Sequence, residues 1–263
     1  MVLRHTAALV VVLAWLHGTA AFAQTAVPPS PPPSAPARAE VPGLGAVFSE
    51  VPRDLWRFIS LDTAVVLGSG GALAYIAHAW DDDLSDEIAT NGTLNAMLVD
   101  VNQAGNTYGA FVTQVGIGLA VYGIGRASDH GRFAIVGADI VRAEFVGQLW
   151  TQAIKFTVGR ERPDGSDLVS FPSGHSASAF STATVLHRHY GWRVGVPAFA
   201  AAGLVGTARI RSNKHYLSDV VFGAAMGVAS GRTVVLHAGP YGLNLAPAPV
   251  PGGAAMLVSV VRR

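Results

Sequence analysis

Cysteine is absent from this chain, which excludes disulfides, thiolate-bound zinc and a cysteine nucleophile. Charge is scarce as well: Asp, Glu, Lys and Arg supply 13% of the 263 residues, against roughly a quarter in an ordinary soluble protein. Neither sign dominates. The formal net charge is +1, and setting Arg4 aside leaves 17 basic residues against 17 acidic ones, a balance that argues against nucleic acid as a partner. Any chemistry must therefore come from His, Asp, Glu, Ser, Lys and Arg. Apolar residues are what the chain has in plenty. Half of it is hydrophobic and the mean hydropathy is +0.37, enough for one substantial core and indicative of deep burial, membrane contact, or both.

The first 23 residues read as a signal peptide. Arg4 and His5 give a basic start, Ala7–Leu16 an apolar run, and Ala21-Phe22-Ala23 the small-residue cleavage pattern, with Gln24 as the mature N-terminus. Residues 24–43 follow as a linker, where prolines at 28, 29, 31, 32, 33, 36 and 42 favour a semi-rigid spacer over helix or sheet. A folded domain is expected over 44–238 and a distinct tail over 239–263.

Within that domain the apolar periodicity is helical almost throughout, which predicts an all-α fold, a compact bundle of about six core helices. Val47, Val51, Leu55 and Phe58 line one face of an amphipathic first helix, and a second runs from Asp62 to Trp80. Asp81, Asp82, Asp83, Asp86 and Glu87 read as a solvated acidic turn. Further helices are expected at Leu94–Asn102, Tyr108–Gly125, Phe133–Val158, Ser173–Tyr190, Val194–Ala208 and Tyr216–Leu236. Leu243–Val261 alternates around Pro251-Gly252-Gly253, the pattern of a short C-terminal β-hairpin. Three strong helices separate the linker from Lys155. If each crossed a membrane, an exported N-terminus would put Lys155 on the cytoplasmic side. A helical domain in the periplasm or cell envelope, resting on a membrane and not threaded through it, reconciles export with an outward-facing site.

Three clusters carry chemistry. Lys155 and Arg162-Pro163 lie seven residues apart, so two helical turns would put both cations on one face, suited to an anion. Phe171-Pro172-Ser173-Gly174-His175 opens an Ala/Ser-rich helix, whose first-turn N–H groups attract anions beside a proton-transferring histidine. Arg209 precedes His215 and Asp219, which stand at i and i+4, so that the carboxylate can hold one ring nitrogen and leave the other as nucleophile. Each cluster alone also fits a solvated helix end, an ordinary cap or a structural His–Asp pair. Together they form a phosphoryl-transfer kit that calls for no metal and no cofactor. His78, His130, His187, His189 and His237 match no pattern and read as surface or interhelical packing; Arg160, Arg211 and Lys214 read as solvated charge flanking the cluster.

On these motifs the chain resembles the superfamily of type 2 phosphatidic acid phosphatases, bacterial acid phosphatases and vanadium haloperoxidases. The family pattern Lys-x6-Arg-Pro, Pro-Ser-Gly-His, Ser-Arg-x5-His-x3-Asp reads here as Lys155…Arg162-Pro163, Pro172-Ser173-Gly174-His175 and Arg209…His215…Asp219, with Ala208 where the family usually has Ser. The resemblance implies a metal-independent phosphatase. His215 would attack phosphorus, Asp219 would fix its tautomer and His175 would serve as acid, then base. Lys155, Arg162, Arg209, Ser173 and the Gly174 N–H would hold the phosphate oxygens. A phosphorylated lipid or a small phosphomonoester would be the substrate. The alternatives are a vanadate-dependent haloperoxidase and a non-catalytic phospholipid- or phosphate-binding envelope protein.

Overall fold

The computed structural model describes residues 41–90, 99–238, 241–250 and 253–262, all within one unit, Ala39–Arg263. The expected signal peptide, residues 24–40 of the linker and residues 94–98 of one expected helix lie outside the described residues. Among the described residues the helices are α1 (Leu44–Ser49), α2 (Val51–Phe58), α3 (Leu61–Ala77), α4 (Asp81–Thr90), α5 (Val99–Tyr108), α6 (Phe111–Ala127), α7 (Gly131–Val158), α8 (Gly174–Tyr190), α9 (Trp192–Arg211) and α10 (Leu217–Ala238). Two strands, β1 (Tyr241–Val250) and β2 (Gly253–Arg262), pair antiparallel with Tyr241 opposite Arg262. The all-α expectation and the terminal hairpin both hold.

Local chemistry sets the boundaries. Ser60 caps α3 by accepting from the Thr63 N–H at 3.2 Å. Gly159 ends α7 in the left-handed region (φ 62°), its N–H reaching the Lys155 carbonyl at 3.0 Å. The expected first helix is broken at Glu50, with Pro52 in the first turn of α2; it nevertheless buries Val47, Val51 and Phe58 as its periodicity requires.

Two features correct the sequence reading. The acidic segment is not a solvated loop. It forms helix α4, and its first residue, Asp81, is 1% exposed. Arg162 does not share a helical face with Lys155 either. Gly159 has already ended the helix, four residues before Pro163, so Arg162 sits in the connection to α8.

At the centre, α8 and α10 pack closely, with α7 against both. Helix α6 lies along α7, α9 packs on α8 and carries α5 against it, and α3 covers α10. Glycines on α10 make the central contact possible. A Cβ at Gly223 would meet the Ser173 carbonyl at 2.5 Å, and one at Gly227 the Ala177 carbonyl at 2.3 Å. Beside them Val136, Ile140, Val146, Val185, Met226 and Val234 fill the main apolar core.

That core also carries charge. Arg142 of α7 donates Nε to Asp54 of α2 at 2.8 Å, and His189 of α8 is 2.8 Å from Asp139 of α7. His189 is thus an interhelical packing residue, as expected. Among the described residues no single helix is long and apolar enough to cross a membrane. Two bent pairs reach that length and composition together: Leu44–Phe58 with Leu61–Leu84, and Asn102–Tyr108 with Phe111–Ala127.

Candidate active site

The three motif stretches meet where the end of α7, the start of α8 and the α9–α10 turn come together. Backbone bonds tie them: Ser173 N–H to the Asp219 carbonyl at 2.9 Å, Ser170 N–H to the Arg160 carbonyl at 2.9 Å, and Asp164 N–H to the Asn213 carbonyl at 3.2 Å. Segments far apart in sequence are thereby fixed at the main-chain level.

Lys155, in the last turn of α7, is 5% exposed, and its ammonium donates to the Val169 and Ser170 carbonyls. An ammonium has three protons, so one remains for a ligand. Burial first, then the nearby Arg162 guanidinium, pushes the Lys155 ammonium down to about 8. Arg162 is aimed by Asp167, which accepts its Nε at 2.6 Å. Arg209 donates to the Asn106 side-chain carbonyl at 2.7 Å, while its Nε is buried without a partner. Burial, then repulsion from Arg162, lowers its guanidinium to about 10. Arg162 depresses both Lys155 and Arg209, so the three cations share one positive site.

The histidines lie in the same field. His175 follows the Ser173 cap at the start of α8, and its ring bonds to the Asn106 main chain. Burial, and then Arg209, His215 and Arg162, push it down to about 4. His215 is 2% exposed and is also pushed down to about 4, by burial first, with Lys155 and Arg209 adding to it against the opposing pull of Asp219. Both rings are therefore neutral near pH 7 in the free protein. Ser173 is fully buried; its hydroxyl accepts from Ser176 Oγ at 3.0 Å. Gly174 is held by Gln148, whose amide donates to its carbonyl at 2.9 Å.

Asp219 departs from the expected geometry. Its Oδ2 is 3.7 Å from His215 Nδ1, within ion-pair range but beyond a hydrogen bond, and that nitrogen is buried without a hydrogen-bond partner. The carboxylate is instead satisfied by Ser170 Oγ (2.5 Å), the Tyr216 N–H (2.9 Å) and Arg160 (2.7 Å). Burial pushes its carboxyl up, but the hydrogen-bonding neighbours outweigh that and hold it below the usual range.

Sequence reasoning missed Arg160, Asp81, Asn106 and Ser170. Arg160 is no solvated flanking charge: it bonds Asp219, Ser218 and Asp81 at 2.7, 2.7 and 2.8 Å. Its place among the variable positions of the Lys-x6-Arg stretch gave no signal. Asn106 serves Arg209 and His175 from α5, outside all three motifs. Of the other flanking charges, Lys214 pairs with Asp164 at 2.5 Å. Ala208, the departure from the family pattern, faces α5; a Cβ at Gly105 would come within 2.7 Å of its methyl.

Fold and site together define a helical domain that gathers two histidines and three cations at the mouth of its central helices. A family model for the PAP2 superfamily matches residues 136–239, which hold all three motif stretches. The chain is similar to the lipid A 1-phosphatase of Porphyromonas gingivalis, 38% identical over 111 residues, which are 41% of this chain and 24% of that protein. It is also similar to the lipid A 4′-phosphatase of Helicobacter pylori, 34% identical over 64 residues, 24% of this chain and 32% of that one. The chain thus spans about a quarter to a third of the length of these relatives. Among solved structures, Aquifex aeolicus LpxE aligns with a TM-score of 0.46 at 20% identity, over 59% of this chain and 94% of that one.

Proposed function

We propose that this protein is a phosphomonoester hydrolase for phosphorylated lipids, working through a phosphohistidine at His215. The observation that carries the proposal is the convergence of a buried His215 and a half-buried His175 with Lys155, Arg162 and Arg209. The cations, with Ser173 and the Gly174 N–H, would hold the non-bridging phosphate oxygens, where charge is stabilised during transfer.

In the first step the free nitrogen of His215 attacks phosphorus and a P–N bond forms. The P–O bond to the leaving group breaks, and His175 gives its proton to that oxygen. In the second step His175 takes a proton from water as its oxygen attacks phosphorus. The P–N bond breaks and inorganic phosphate leaves. An incoming anion favours the protonated form of His175, because it offsets the cations that depress the empty site.

Two observations favour a lipid. The similar proteins above are lipid A phosphatases by name. An apolar groove of about 480 Å³ runs from Tyr108 past Ile117, Ile140 and Leu186 to Tyr190. Tyr108 precedes Gly109, where a Cβ would lie 3.2 Å from that of His175, so the groove starts beside the site. A small phosphomonoester would use the cradle alone. The N-terminal reading adds export to the cell envelope, with the domain resting on a membrane.

The test is phosphate release from phosphatidate and from p-nitrophenyl phosphate by the purified protein in detergent and EDTA, beside His215→Ala. Release in EDTA that falls by ~10³-fold or more in the variant is expected, since the nucleophile is lost. Phosphatidate should be the better substrate. No release from either compound by folded protein would sink the hydrolase reading and turn attention to vanadate loading or to simple anion binding.

A further inference from the structure

Behind Asp219 lies a chain of polar contacts that the three motifs do not contain. Arg160, just past the end of α7, places one guanidinium nitrogen 2.7 Å from Asp219 Oδ1 and the other 2.8 Å from Asp81 Oδ2. Its plane lies over the Tyr216 ring, 4.0 Å from the centroid. Asp81, at the head of α4, is itself fully engaged. It accepts from the Ser218 N–H at 2.8 Å and the Ser218 hydroxyl at 2.6 Å, and meets His78 Nδ1 at 2.7 Å. Both carboxylates are buried, at 1% and 0% exposure. Placing a second carboxylate out of water beside the first is costly unless a cation bridges them, and Arg160 is that bridge.

We infer that Arg160, anchored by Asp81, is a positioning residue that fixes both the place of the Asp219 carboxylate and how much of its charge reaches His215. The inference rests on the proposed role of His215 as nucleophile. With Asp219 drawn toward Arg160, Ser170 and Tyr216, its oxygen stands 3.7 Å from His215 Nδ1. A carboxylate so restrained orients the ring without pulling a proton onto it, so the other nitrogen keeps its lone pair. Four charged or titratable groups act around His215: Lys155 from α7, His175 from α8, Arg209 from α9 and Asp219 from α10. Of these, Asp219 is the one that favours protonation, and Arg160 is the cation that tempers it.

NMR titration of histidine-labelled protein, with the His215 signal assigned from His215→Ala, tests this directly. His215 should titrate near 4 in the wild type. In Arg160→Gln the Asp219 carboxylate loses its cation, and the midpoint should rise by about one pH unit or more. Arg160→Lys should return it toward the wild-type value. Asp81→Asn leaves Arg160 to pair with Asp219 alone, so there the midpoint should move slightly down; this variant serves if Arg160→Gln does not fold. In turnover, Arg160→Gln should lower kcat and leave KM nearly unchanged, because the phosphate cradle is untouched. A His215 midpoint that stays put in a folded Arg160→Gln or Asp81→Asn protein overturns the inference. The titration needs no turnover, so an inactive wild type with a moving His215 would fault the hydrolase reading alone.

Discussion

At the scale of single residues, Lys155 sets the alkaline behaviour of the site. Its ammonium is pushed down to about 8 by burial and by Arg162, so the free protein loses a cation as pH rises through that value. Accordingly kcat/KM, which already declines as free His175 gives up its proton, should gain a second alkaline limb above pH 8 that adds about −1 to the logarithmic slope. Bound phosphate favours the ammonium, so the corresponding fall in kcat should come at higher pH. Lys155→Arg keeps its charge through this range and should remove the limb, at some loss in absolute rate from disturbed bonds to the Val169 and Ser170 carbonyls. A pH–rate profile of the wild type and this variant checks it; an identical alkaline limb in both would mean that another group titrates.

At the scale of elements, the site depends on how closely α8 and α10 approach. Gly223, Gly227 and Gly231 lie four apart on one face of α10, and a Cβ at any of them would run into α8. Gly227→Val should therefore destabilise the fold by about 1–3 kcal/mol or more, read as a lower midpoint of denaturant unfolding. Activity should fall further than the folded fraction does, because Ser173 and Asp219 would be parted. Equal losses of activity and folded fraction would show that the helix spacing does not set the site.

The helices themselves were legible in the sequence. The 3.6-residue pattern located α3, α6, α7, α8, α9 and α10 within a few residues. The motif residues were legible too, because their chemistry is concentrated in short stretches. What could not be read was set by tertiary contact. Asp81 has four acidic neighbours in sequence, and only the approach of Ser218 and Arg160 distinguishes it from them. Arg162 reaches the cradle from a loop because Gly159 stops α7 before the two turns that would set it on the face of Lys155.

At the scale of the whole molecule, the low charge content finds its explanation on the outside. Leu61, Tyr75 and Val112 are each about four-fifths exposed, and Trp56, Phe156 and Trp192 are also open to solvent. Exposed apolar side chains of this kind are suited to contact with lipid, and the phosphorylated lipid of the proposed reaction presents its headgroup at a membrane. The protein should therefore sediment with phospholipid vesicles once detergent is removed. It should stay with them in about 1 M salt, since apolar contact is not screened. Release by salt would point to a charge-held partner instead.

The glycine-mediated contact between α8 and α10 also separates the chemistry from the choice of substrate. The approach of His175 and His215 is set by two backbones that touch, while the groove beside them is walled by side chains of α6, α7 and α8, of which the α6 wall (Ile117, Val121 and Ile124) belongs to neither backbone. An engineer wishing to redirect the protein to a new phosphoester could recut the α6 side of that wall and leave the core residues Val136 and Ile140, and the reacting geometry, as they are.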